Sequence, residues 1–132
     1  NMNTKLDKIL AEISAGELID KITILEIKKS KISNKEKLKE LEKELLSLSL
    51  TLKKNIPDLS KIIELKNQLK DINLKLWDIE NDKRNAEKNK DFGEKFISLS
   101  RSVYKFNDER AKIKLEINNK LGSNIKEIKS HF

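Results

Sequence analysis

Two charged residues stand inside otherwise apolar stripes, and they are the chemically suggestive positions of this chain. Projected at about 100° per residue, Arg110 falls at the centre of a stripe made by Phe106, Ile113 and Ile117, and Glu26 falls among Ala15, Ile19 and Ile22. A charge buried alone is costly, so each needs a partner. The simplest solution is a Glu26–Arg110 pair, with Asp20 or Glu17 as fallback partners because sequence does not set the register between helices. Such a pair has two readings: it orients a site in which Arg110 holds an anion, or it is a structural ion pair that fixes helix register. The structural reading is the expected one. Tyr104 and Asn107 lie at the edge of the Arg110 stripe, with Arg101 and Asp108 farther round. Tyr104 is expected to be a core residue whose hydroxyl reaches solvent, and Trp77 to be buried in the same way.

Other chemistries are closed by composition. With Cys 0 and His 1 among 132 residues, there is no thiolate nucleophile, no disulfide framework and no site needing paired histidines. Gly 3 and Pro 1 exclude glycine-rich phosphate loops and turn-dense β-sandwiches. Asp91-Phe92-Gly93 matches a kinase metal-binding tripeptide, but the chain is too short for that fold and lacks its glycine loop. Paired carboxylates such as Asp78 and Asp82 arise by chance when Asp+Glu number 22. His131 has no second histidine to work with. No metal and no cofactor is expected.

The net charge is +7, which by itself would suggest nucleic acid. Its distribution argues otherwise. Residues 28–57 carry nine Lys against four Glu, residues 58–91 carry eight charges of each sign, and residues 109–132 carry six basic against three acidic groups. Interleaved signs along helices describe solvated faces with i,i+4 pairs, not a groove that tracks phosphates. Lys, Ile and Asn are also all encoded by A/T-rich codons, which inflates the basic count. Nucleic-acid binding is therefore not expected.

The elements that position these residues follow from capping and spacing. Ser14-Ala15-Gly16-Glu17 is a capping box that starts a first helix over residues 14–32. Residues 2–13 are a lead-in, in which 8–13 can be read as a short strand. A second helix over 34–55 carries Leu38, Leu41, Leu45, Leu48 and Leu52 at three-four spacing and ends before Pro57. A third over 58–89 repeats the rhythm at Ile62, Leu65, Leu69, Ile72, Leu76 and Ile79, turning polar at Glu80, Lys83 and Glu87. After the turn Asn89–Gly93, a fourth over 93–121 carries Phe96, Leu99, Val103, Phe106, Ile113 and Ile117 and stops at Gly122. Residues 122–132 form a tail. The expected fold is a single all-α domain, a four-helix antiparallel bundle or pair of long helical hairpins. Off-stripe apolar residues (Ile24, Ile27, Leu46, Leu50, Leu74, Ile97, Leu115) exceed what one seam needs and predict a homodimer. No stretch approaches the ~18–20 apolar residues of a membrane span, so a cytoplasmic protein without membrane insertion is expected. Asn1 precedes Met2, and reads as an expression remnant before the native start.

Two blocks carry a resemblance. Residues Ser14 to Lys28 (SAGELIDKITILEIK) and the set Asp91-Phe92-Gly93, Arg101-Ser102-Val103-Tyr104, Asn107-Asp108, Arg110-Ala111 and Lys129-Ser130 resemble a family of small bacterial proteins of unknown function. One departure is His131, where tyrosine is expected. The resemblance implies a shared fold and no reaction, with a partner context in surface-polysaccharide synthesis. It also implies a polar signature at Glu17, Asp20, Lys21, Thr23 and Glu26 of the first helix and at Arg101, Tyr104, Asn107, Asp108 and Arg110 of the fourth. The leading expectation is a non-enzymatic module acting by protein–protein association. The alternative is a small anionic-ligand protein or enzyme using a Glu/Arg/Tyr cluster between the first and fourth helices.

Overall fold

Ser14 caps the first helix through its hydroxyl, which accepts from the Glu17 amide at 3.0 Å, and α1 runs over Ala15–Lys31. The computed structural model describes residues 4–129, so His131 and Ser130 lie outside the described residues. The reciprocal half of the capping box does not form, because the Glu17 carboxylate turns instead to Lys114 and Lys21. The expected strand at 8–13 is absent as well. That segment has no regular structure, and Ile9, Leu10 and Ile13 are exposed along it.

Asn34 opens α2 (Lys35–Asn55) by accepting from the Lys37 amide, and the helix ends at Asn55 as the Pro57 ring requires. Helix α3 covers Ile63–Lys88, five residues shorter at its start than the apolar rhythm suggests. The cause is local. The Asp58 carboxylate accepts from the Ser60 amide at 2.9 Å, and Ile62 bonds back to Leu59, so 58–62 close into turns that compete with the helix. The same amide holds the exposed Asp58 carboxyl below its ordinary pKa. Helix α4 spans Glu94–Leu121 and stops at Gly122, whose φ of 65° is left-handed. In the α3–α4 turn the left-handed residue is Lys90, not Gly93, and its Schellman pattern runs from the Asp91 amide to the Ala86 carbonyl.

Helices α3 and α4 make an antiparallel hairpin. The Lys75 and Lys83 ammonium groups of α3 sit 5.4 and 5.7 Å from the ring centroids of Phe106 and Phe96. Lys83 is thus half-buried against an aromatic ring, and Ala86 beyond it is buried, so the polar end of α3 is more than a solvated extension. Helix α1 is the central element, touching each of the other three, whereas α2 packs on α1 alone. The core joins Leu18, Ile19 and Ile22 of α1 to Leu65, Leu69, Ile72 and Leu76 of α3 and to Ile113 and Ile117 of α4, with Leu52 and Ile62 at the α2–α3 end. Leu52 is the only buried residue of α2. The architecture is all-α and built from four helices, with no strand among the described residues.

Candidate functional site

The face of α1 that meets α4 is polar, although the helix is apolar around it. Asp20 is 1% exposed, and Arg110 approaches it side-on. Arg110 Nε donates to Asp20 Oδ1 at 3.0 Å, and Nη2 donates to Oδ2 at 2.6 Å. Asn73 of α3 donates from Nδ2 to Asp20 Oδ1 at 2.9 Å and to Thr23 Oγ1 at 3.0 Å, while the Thr23 hydroxyl donates to the Asp20 carbonyl at 2.8 Å. One carboxylate therefore ties together three helices. Hydrogen bonding to Asp20 raises the Arg110 pKa above its ordinary value against the opposing effect of burial.

This replaces the Glu26–Arg110 pair expected from the stripes. Glu26 lies six residues farther along α1, on another face, and pairs with Lys70 of α3 at 3.4 Å, its Oε1 buried without a hydrogen bond of good geometry. Asp20, the fallback partner, is the one that faces α4.

Around the N-terminus of α1 the amides are capped from outside the helix. The Ala15 amide donates to Ser123 Oγ at 3.0 Å and the Gly16 amide to Asn118 Oδ1 at 2.6 Å, so the tail and the end of α4 occupy the positions an anion would take. The Ser14 hydroxyl donates to Glu127 Oε1 at 2.5 Å, and Asn124 donates to Glu12 Oε2 at 2.6 Å. Lys114 Nζ donates to Glu17 Oε2 at 2.5 Å and stands 3.9 Å from Asp20 Oδ2. Lys129 pairs with Asp108 at 2.5 Å, folding the tail back along α4.

Of the residues singled out by sequence, Glu17, Asp20, Thr23, Asn107 and Arg110 come together in or beside this network, and Asn107 Oδ1 accepts from Arg110 Nη1 at 3.3 Å. Lys21 borders it, exposed and 3.5 Å from Glu17. Asp108 joins it only through Lys129. Arg101 is exposed and makes no contact with the group, and Tyr104 is 57% exposed, more than a stripe-edge tyrosine should be, because Val103 and Phe106 take the inward positions. Trp77 is half-buried in a cavity of about 320 Å³ that it lines together with Ile24, Ile27, Leu76 and Arg84 and with Asn73 and Arg110 of the network, so it stands beside the group without bonding to it. Sequence reasoning missed Asn73, Lys114 and Asn118, and it met Lys129 only as part of the family resemblance, without a role. The first was findable: Asn73 sits between Leu69 and Leu76 on the α3 stripe, a polar break of the same kind as Arg110.

Two further spaces are open, one beside the network and one away from it. On the α4 side, Asn107, Arg110, Ala111, Lys114 and Lys129 line a cavity of about 390 Å³. On the far side of α1, an open groove of about 1230 Å³ runs beside α2, walled by Ile9, Leu10, Ile32, Leu41, Leu46 and Leu50. Among the described residues no cluster of His, Cys, Asp and Glu could hold a metal ion, and no helix is long and apolar enough to cross a membrane.

Neither a curated protein nor a solved structure matches the chain significantly. A family model does, over residues 9–131: the chain belongs to the family of unknown function DUF6165.

Proposed function

We propose that this chain is a non-enzymatic helical module of the cytoplasm that acts by protein–protein association, and that its first partner is a second copy of itself. The observation that carries the reading is the outer face of α2. This helix leans on α1 alone, and Leu46 and Leu50, one turn apart, are 61% and 58% exposed on the wall of the α2 groove. A groove with apolar walls takes the apolar edge of a helix, and an i,i+4 leucine pair is such an edge, so α2 supplies both halves of a self-complementary contact. Charge bears on the orientation of the pair. Glu36, Glu40 and Glu44 form an i,i+4,i+8 row in a groove that Lys8, Lys28, Lys37 and Lys43 also line, and the last turn of α2 carries Lys53 and Lys54. In an antiparallel pair of α2 helices the basic end of each copy lies over the acidic row of the other.

Of the off-stripe residues that suggested a dimer, Ile27 is buried and Ile24, Leu74 and Leu115 are half-buried within one chain; Ile97 is exposed on α4 outside the groove, which leaves Leu46 and Leu50 to argue for a partner. Light scattering at high micromolar concentration should give twice the chain mass of 15.4 kDa. Leu46→Asp with Leu50→Asp should return the monomer mass with helicity unchanged. A wild-type chain that stays monomeric would reject self-association.

A further inference from the structure

We infer that the cavity between α4 and the returning tail is a binding site for a phosphate-type oxyanion, either free or as a monoester of a small organic group. The described residues that line its 390 Å³ are Asn107, Arg110, Ala111, Lys114 and Lys129, so the polar side chains among them are three cations and an amide. The carboxylates that balance these cations, Asp20, Glu17 and Asp108, pair with them from outside that lining and hold them in place. A fixed cluster of donors costs little reorganisation when an anion arrives.

The number of donors selects the class. Arg110 spends three of its five N–H groups, two on Asp20 and one on Asn107. Asn107 accepts through Oδ1, which leaves its whole NH₂ group without a partner, and Lys114 Nζ has donors beyond the one Glu17 accepts. These remaining hydrogens already exceed the roughly four lone-pair sites of a carboxylate and suit the three terminal oxygens of a phosphate ester. Room for the organic part lies next door. A second cavity of about 270 Å³ shares Ala111, Lys114 and Lys129 with the first and continues along Leu115 and Ile128. This site is separate from the α2 groove, so it stands or falls independently of self-association.

The test is an NMR titration of the whole chain with inorganic phosphate, glucose 1-phosphate and acetate at constant ionic strength, following the Asn107 side-chain amide and the Arg110 Nε–H. Both phosphates should shift these signals saturably, and acetate should bind at least about tenfold more weakly. Asn107→Asp keeps the Arg110 contact and places a carboxylate where the anion would sit. It should remain folded and lose phosphate binding by more than about a hundredfold. A general salt effect on the fold would persist in that variant. No saturable shift at Asn107 and Arg110 with 10 mM probe (roughly the weak limit of specific sites), equal binding of acetate, or undiminished binding by Asn107→Asp would each overturn the assignment.

Discussion

Asp20 is the residue on which the helices agree. It accepts from Arg110 and Asn73 while Lys114 stands near, and at 1% exposure it has almost no water to fall back on. Removing one member of such a pair strands the other, which costs about 3–5 kcal/mol, whereas replacing both with apolar groups is far milder. Arg110→Met should therefore destabilise the fold by roughly that amount in urea unfolding, and Asp20→Leu/Arg110→Met should recover much of it. The recovery is incomplete because Asn73 loses its Asp20 acceptor and keeps only Thr23 Oγ1. A cycle built on Glu26 and Arg110 should show coupling within about 0.5 kcal/mol of zero. Since the Arg110 pKa is raised in the folded state, its contribution is fully present below the unfolded value and is lost only as pH climbs past the folded one. The coupling should accordingly be unchanged between neutral pH and about pH 10, where free arginine is still charged.

At the scale of elements, the N-terminus of α1 is pressed onto the last turns of α4, and Gly16 is what allows it. A Cβ at that position would overlap the Lys114 carbonyl oxygen and stand 3.0 Å from Asn118 Oδ1, which itself accepts from the Gly16 amide. The obstacle is backbone, which cannot swing aside. Gly16→Ala should cost about 2–4 kcal/mol of stability in spite of alanine's better helix propensity, measured by thermal or urea unfolding. A neutral or stabilising result would mean that α1 does not sit this close. Helix boundaries were legible because caps and breakers act within a few residues: Ser14, Asn34, Pro57 and Gly122 each end or begin a helix where their chemistry says. The exceptions are also local. Asp58 and Ser60 form a turn strong enough to delay α3, and the short strand read over residues 8–13 does not form because no second strand among the described residues is there to pair with it. The partner of Arg110 was not legible, since periodicity assigns a residue to a face and says nothing about the register of two faces. Asn73 and Arg110 both announced themselves as polar breaks in their stripes, and only the three-dimensional pairing shows that one carboxylate serves both.

At the scale of the whole molecule, the chain divides into a well-tied part and an open one. Helices α1, α3 and α4 share the buried core and the Asp20 network, with the tail stitched back through Ser123, Glu127 and Lys129. Helix α2 adds one buried leucine and a groove. The i,i+4 leucine pair exposed on that groove is the basis for the proposal that α2 self-associates. The absence of cysteine makes the decisive measurement simple. Ser47→Cys places a single thiol on the α2 groove, and Ser98→Cys places one on the exposed side of α4. Mild oxidation at low micromolar concentration should convert the Ser47→Cys chain largely to a covalent dimer and leave the Ser98→Cys chain mostly monomeric. Equal cross-linking of the two variants, or none from Ser47→Cys, would contradict the assignment.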